Sequence, residues 1–415
     1  MFPSLQIRRL RRSKSTVPRF CYAASGISLR VSMRFKSLFA SLIAFALFTP
    51  FLLQSDPLRA QEQVAFHAKL LDVFQARNIG PANMGGRIVD LAVVESNPNV
   101  YYVAAATGGI WKTTDGGASF KPLTDSLTCS IGAVAVSQSN PDIVWFGAGE
   151  ANPRNSVTFG DGVYKSTDGG KSWSHMGLKD THHIGRIVIH PTNPDVVYVA
   201  ALGHIWGPNK ERGLFKTSDG GKTWQHVLAL DADTGVIDAA LDPAQPDTLY
   251  AAACAVRRDG YSGGDPLKQL GPKAGLYKTT DGGKSWTKLA KGLPPGQYGR
   301  CGVAVYRKDP RIVYAVVQSE KTGVGTKGNA PNKALDVSVG GVFRSEDRGE
   351  SWTQVNTVVP RPFYYGQVRI DPTDDQRIYV LGTTFYASSD GGRKFGAGTP
   401  KGVHVDHHAL WINPK

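Results

Sequence analysis

Three carboxylates stand where acid–base chemistry needs them. Glu150 follows an apolar run in GAGEANPR, Asp161 lies between two glycines, and Asp180 precedes the pair His182-His183. Partial burial raises a carboxyl toward its acid form, which would suit Glu150 to donate a proton. Cleavage of a glycosidic bond requires two such groups roughly 5–9.5 Å apart. Spacing alone assigns no pair. Each group also has a plainer role: Glu150 would brace its loop against Arg154, and Asp161 would make a turn bond.

Arginines form a second constellation. Arg87, Arg186 and Arg300 each open an apolar run, in GRIVDLAV, GRIVIHP and GRCGVAV. Three guanidinium groups at matched positions would grip a carboxylate or sulfate through paired bonds. They would also favour uronic acids, sulfated glycans or acidic peptides. The alternative is a repeat that simply places Arg at a wet strand end. His204, Trp206 and Tyr261 lie in long loops, where an aromatic ring stacks on a sugar or anchors a peptide. His182, His183, His404, Asp406, His407 and His408 are metal-ligand types. Neighbouring strand residues point to opposite sides, so neither cluster aims enough ligands at one ion. No metal and no cofactor is assigned.

The elements that must position these residues announce themselves by repetition. The pattern Ser/Thr-x-Asp-x-Gly-x-x-Trp/Phe occurs six times, at 113–120, 166–173, 217–224, 279–286, 345–352 and 388–395. Its acids are Asp115, Asp168, Asp219, Asp281, Asp347 and Asp390. An Asp accepts bonds from the backbone of its own turn, the Gly takes an angle that a side chain resists, and the aromatic plugs the turn onto an apolar body. Around each turn come short β-rich runs, such as GVYKS before Asp168 and NPDVVYVA before Asp219. Four short strands with Gly, Pro and Asp punctuation, recurring at this length, predict blades of a β-propeller. The expectation is an all-β fold of six full repeats and a partial seventh. GVHVDHHALWINP at 402–414 would be the first strand of the seventh, and a segment at 73–79 its returning outer strand.

The eight-residue units resemble the Asp-box, or BNR, repeats of sialidase-like propellers. RNIGPANMGGR at 77–87, the run 149–173 and HIGRIVIHPTNPDVVYVAALGHIWGPN at 183–209 resemble bacterial sortilin N-terminal-type proteins often described as glycosyl hydrolases. The likeness covers roughly 74–411. It implies a propeller strongly and a function weakly, because the same turn serves sialidases, other glycosidases, receptors and assembly factors. A sialidase-like role would need the three arginines on a substrate carboxylate and a Tyr backed by Glu. Tyr364 and Tyr365 are available, but nothing pairs them with an acid.

Loop lengths say which face is used. In the blade order of such propellers, loops between second and third strands share a face with the links between blades, opposite the Asp-box turns. These loops are long at 150–161, 203–212, 257–273 and 319–339. Variation confined to one loop class marks one elaborated face, and loops on a rigid scaffold carry binding.

Charge and leader complete the reading. The chain has 415 residues and a net charge of +14, but nine of those charges fall in residues 1–36, which hold no acid, and the part from Gln61 carries +5. No helix-turn-helix or finger spacing appears, so nucleic acid is not expected as a partner. Residues 33–60 combine a basic start, an apolar run and a small residue at Ala60, the plan of a signal peptide. Residues 1–32 read as a start-site extension or basic leader, and 61–415 as one propeller domain, truncated at its C-terminal end if the seventh unit is left incomplete. Cys254 and Cys301 would meet at one face. The expectation is a secreted or periplasmic propeller with no stable membrane span after cleavage. It would bind a glycan or a peptide or protein ligand on the elaborated face. The alternative is a glycoside hydrolase using a carboxylate pair at the channel mouth.

Overall fold

The computed structural model describes residues 86–127, 130–152, 157–257, 270–322 and 329–415. The leader, the signal peptide, the segment 73–79, Arg154 and Tyr261 lie outside the described residues.

Six four-stranded antiparallel sheets follow one another along the chain. The first blade runs through Ile88–Val93, Tyr101–Ala105, Gly109–Thr113 and the short outer strand Lys121–Pro122. The inner strands of blades 2 to 6 are Ile131–Val136, Ile184–Ile189, Thr234–Leu241, Tyr298–Val305 and Val368–Asp371. Each inner strand packs beside the next from blade 1 to blade 6. They approach so closely that some positions admit only glycine. A Cβ on Gly132 would meet the Ile184 carbonyl oxygen at 2.1 Å, and one on Gly185 would meet that of Ile237 at 2.3 Å. Apolar clusters fill the spaces between blades, for example Tyr198, Leu214 and Leu228 of blade 3 with Val236, Leu249 and Tyr277 of blade 4.

The Asp-box turn is built as its residue types require. In blade 2, Asp168 Oδ1 accepts from Lys171 N and Ser172 N, both at 2.9 Å, and from the Ser166 hydroxyl at 2.7 Å. The buried Ser166 Oγ in turn accepts from Gly170 N at 2.8 Å. Gly169 and Gly170 have φ of 69° and 91°, the left-handed region that glycine enters without strain. Blade 5 keeps the turn with Arg348 in the first glycine position, at φ 57°. The bonds from Ser172 and its backbone hold the Asp168 carboxyl far below the usual carboxylate range.

The same turn receives bolts from the preceding blade. Tyr102 OH and Lys112 Nζ both donate to Gly169 O, at 3.0 and 2.8 Å. Tyr198 OH and Lys216 Nζ donate to Gly282 O, at 3.2 and 2.8 Å. The turn's aromatic reaches the other way: Trp224 Nε1 donates to Met176 O at 2.7 Å. In blades 2, 3 and 4 the turn thus closes itself and docks its blade onto the previous one.

Two expectations are refined. Residues 399–415 form no strand; they lie against the loops of blade 6, with Asp406 N donating to Thr383 O and His407 N to Gly382 O. Cys254 and Cys301 share one buried core between blades 4 and 5, but as free thiols whose pKa burial raises, to about 11 and about 12.

Ser166→Ala strands the N–H groups of Asp168 and Gly170, and chemical denaturation should show a loss of about 1–3 kcal/mol. The Asp-box carboxylates titrate lower folded than unfolded; Asp347, for instance, falls to about 2 through bonds from Ser351 and Ser345 that outweigh its burial. Their contribution is therefore complete above the unfolded value near 3.9 and fades as pH falls through the folded values. The part of the melting-temperature loss that belongs to the Asp boxes should appear below about pH 4 and steepen toward about pH 2, on top of the decline that the buried neutral His183 brings as pH falls below about 6.5.

Candidate ligand site on the upper face

The loop 149–152 organises the face opposite the Asp boxes. Glu150, Ala151 and Asn152 are all buried. Gly149 N donates to Ser130 O, and Glu150 N to Thr158 O. Glu150 takes both its oxygens to Arg87 of blade 1: Nε donates to Oε1 at 2.9 Å, and Nη2 to Oε2. The Glu150 carbonyl accepts from His183 Nδ1–H of blade 3 at 2.8 Å. Two residues on, Asn152 Oδ1 accepts from Arg300 of blade 5 at 2.8 Å, and Arg300 also donates to Tyr364 O at 3.2 Å. One loop therefore ties blades 1, 2, 3 and 5 at the channel mouth.

This geometry sets what each candidate does. Glu150 is wholly buried and held bidentate by Arg87, so its carboxylate is a brace and offers no oxygen to solvent. Burial lowers the Arg87 pKa, but Glu150 more than offsets it and keeps Arg87 charged. Asp161 Oδ2 accepts from Tyr164 OH at 2.7 Å, while Oδ1 is buried without a partner. Asp180 is exposed on the short 3₁₀ turn Lys179–Thr181. Arg186 lies deeper, between two carboxylates: Nε donates to Asp238 Oδ1 at 2.9 Å, and Nη1 to Asp90 Oδ1 at 3.2 Å. Two of the three matched arginines are thus balanced by acids from other blades. Among the described residues no three His, Cys, Asp or Glu side chains gather as a metal cluster.

The rings that the structure does bring together are Phe159, His182 and His204. Phe159 stacks on His182 with centroids 5.2 Å apart, and His182 meets His204 at 3.8 Å. They come from the loops of blades 2 and 3 and the link between them. Phe159 is 65% exposed, and Trp206, two residues after His204, is 55% exposed, which is unusual for rings of this size. Arg212 sets the loop that carries His204 and Trp206. Wholly buried, it donates to Leu202 O at 2.8 Å, to Gly207 O at 3.0 Å and to His204 O. Burial draws its pKa down to about 10, yet it stays protonated at neutral pH. Burial also lowers His183 to about 4, so the ring beneath the array is neutral. Reading the sequence by residue type missed Phe159, Arg212, Asp90 and Asp238. For the last two a signal existed, since GRIVD and GVID place Asp at like points of two inner strands.

Six Asp-box blades with one loop-elaborated face define a BNR-type β-propeller. A family model described as Sortilin-Vps10 (sortilin, neurotensin receptor 3) matches residues 161–331, and over that span the chain is similar to sortilin-like propellers. An oligoxyloglucan-reducing end-specific xyloglucanase from Emericella nidulans is 25% identical over 260 residues, covering 52% of this chain and 30% of that enzyme. A xyloglucanase from Paenibacillus sp is 22% identical over 347 residues, covering 76% of this chain and 32% of the enzyme. The chain spans less than half the length of the curated relatives it matches. A GH74 enzyme from Niastella koreensis superposes with a TM-score of 0.53 at 20% identity, over 75% of this chain and 46% of the other. Kuenenia stuttgartiensis hydrazine synthase gives 0.52 at 11% identity, over 82% and 93%. These two likenesses concern the fold alone.

Glu150→Ala leaves Arg87 without its counter-charge. Because Arg87 keeps some solvent contact, the loss should sit near the lower end of the about 3–5 kcal/mol typical of a broken buried pair. Urea titration of the variant checks this; an unchanged midpoint would show that the pair does not brace the mouth.

Proposed function

We propose that the protein is an exported propeller that recognises a neutral β-glucan of the xyloglucan class on its upper face. The observation that carries this reading is the exposed ring of Phe159 stacked on the half-buried rings of His182 and His204, with exposed Trp206 on the same loop as His204. Flat apolar rings beside polar loop groups suit the apolar faces of pyranose rings. Two of the three matched arginines are neutralised by Glu150, Asp90 and Asp238, which removes most of the reason to expect an acidic ligand. The similar curated enzymes act on xyloglucan, as their names state. Among the described residues no helix is long and apolar enough to cross a membrane. Export places the protein where such polysaccharides occur.

Hydrolysis is the second reading, favoured by those same relatives. It requires two carboxylates flanking the bound chain. Asp161 and Asp180 are the candidates beside the array: Asp161 follows Phe159 by two residues, and Asp180 acts electrostatically on His182. Arg154, outside the described residues, and Arg87, which keeps some solvent contact, remain as ligand-positioning groups at the rim, whereas Arg300 is buried behind them.

Calorimetry with xyloglucan oligosaccharides, cello-oligosaccharides and acidic oligosaccharides tests the proposal. Neutral chains should bind, with little dependence on salt. Phe159→Ala and Trp206→Ala should each weaken binding roughly tenfold, the effect of removing one aromatic anchor. Reducing-sugar release that disappears in Asp161→Asn or Asp180→Asn would establish hydrolysis. Binding of peptides with no glycan bound would overturn the reading.

A further inference from the structure

His182 holds a backbone conformation that its residue type disfavours. Its φ is 53° and its ψ −42°. His183 N donates across it to Thr181 O at 2.5 Å. A bond from residue i+2 back to residue i around a positive φ is the rare and strained form of the γ-turn. Glycine enters such a conformation freely, yet a histidine stands here. The neighbours fix the turn. Gly160 N donates to the His182 carbonyl at 2.7 Å, and a Cβ on Gly149 would come within 1.7 Å of that same oxygen. On either side Thr181 and His183 are buried. His183 donates through Nδ1 to Glu150 O, and its carbonyl accepts from Leu202 N at 2.8 Å. A strained residue persists only where its surroundings over-determine it, and such residues gather where ligands are held.

What the turn delivers is the His182 ring, half-buried and in contact with the rings of Phe159 and His204. Other histidines of blades 2 and 3 commit a nitrogen to the backbone: His175 Nε2 donates to Asp161 O, His183 Nδ1 to Glu150 O and His226 Nε2 to Arg212 O. His204 Nε2 lacks a partner but is buried. His182 differs from all of these. Neither of its ring nitrogens has a hydrogen-bond partner among the described residues, and neither is sealed from solvent. Burial, assisted by His204, lowers the His182 pKa against the pull of Asp180 and Glu211. The ring is therefore neutral at pH 7 and offers one N–H donor and one acceptor. A sugar presents an apolar face edged by hydroxyls that both donate and accept. Phe159 and Trp206 suit the face, and His182 suits the hydroxyls. We propose that His182 is the residue that hydrogen-bonds the hydroxyls of the bound sugar, and that the strained turn exists to present its ring nitrogens beside Phe159. This rests on the glycan reading of the upper face and names the polar contact within it.

Three variants separate the ring from the strain. His182→Ala removes the ring and keeps the strained turn, and His182→Gly removes both. His182→Asn keeps a donor and an acceptor and tolerates positive φ. Melting without ligand is measured first. His182→Gly should match the wild type and melt about a degree or more above His182→Ala, the reverse of the usual order of glycine and alanine. A ring that served only to support the fold would give the opposite: both variants below the wild type, with glycine lowest. Calorimetry with a xyloglucan oligosaccharide follows. His182→Ala and His182→Gly should each bind about tenfold more weakly, and His182→Asn should lie between them and the wild type. Wild-type affinity in His182→Gly, His182→Asn no better than His182→Gly, or His182→Gly melting below His182→Ala would each overturn the proposal. A wild type that binds no oligosaccharide would overturn the glycan reading itself, a failure distinct from a wild type and a His182→Gly variant that bind equally well.

Discussion

Arg186 between Asp90 and Asp238 is the interaction on which the architecture turns. Propeller blades meet their neighbours through apolar faces, and such faces alone would tolerate sliding. Arg186 instead joins the inner strands of blades 1, 3 and 4 through directional, charge-assisted bonds. The two acids extend the tie, because Asp90 also accepts from Val134 of blade 2 and Asp238 from Val303 of blade 5. Five inner strands are thereby fixed relative to one another around a single guanidinium. Burial opposes the charge on Arg186, but the two carboxylates outweigh it and raise its pKa. The glycines at 132 and 185 then become obligatory, since strands held this close leave no space for a Cβ.

Closing the waist of the channel moves ligand chemistry to the loops. The mouth is occupied by the buried residues Glu150, Ala151 and Asn152, which leaves the loops around it as the exposed part of this face. The rigid floor under that surface is the chain of contacts from Arg87 through Glu150 to His183. On this floor the exposed ring of Phe159 stacks on the half-buried His182, which in turn meets His204. Arg212 performs the same task for the neighbouring loop by gathering three carbonyls on one cation. A planar guanidinium suits this because its donors are already arranged in a fork.

How much of this can be read from residue order depends on contact range. The Asp-box turn was legible in full: Ser166, Asp168, Gly170 and Ser172 bond within four residues of one another, so the pattern and the structure are the same information. Blade order and the elaborated face followed from that repeat. The partners of the arginines were not legible. Arg186 lies 52 residues from Asp238 and 96 from Asp90, and Arg87 lies 63 from Glu150. Such pairs are chosen by ring closure, which no local pattern encodes. Hence three arginines at matched strand positions resembled one anion grip, while the fold gives each a different neighbourhood. The ring array was hidden for the same reason: Phe159 comes from a loop of blade 2, His182 from the link to blade 3 and His204 from a loop of blade 3, and they meet only when those segments are stacked.

Comparison within the repeat shows what a blade owes to its predecessor. The last aromatic of each Asp box is the same kind of side chain in the same turn. Phe395 of blade 6 is 3% exposed, covered by Tyr314 and Val355 of blade 5, whereas Phe120 of blade 1 is 41% exposed. The turns are alike: Ser119 N donates to Asp115 Oδ1 at 3.0 Å as Lys394 N does to Asp390 at 2.9 Å. What differs is the neighbour. Around Phe120 the leading face of blade 1, with Ile88, Leu91, Val93, Tyr101, Val103 and Trp111, borders an open apolar cavity that, among the described residues, only Trp411 of the C-terminal segment joins from outside the blade. Local bonding therefore makes the turn, but burial of its aromatic comes from the adjacent blade. Two contributions that look inseparable in blades 2 to 6 are separated in blade 1. The hydrogen-bonded turn belongs to eight residues, and the hydrophobic stabilisation belongs to the ring.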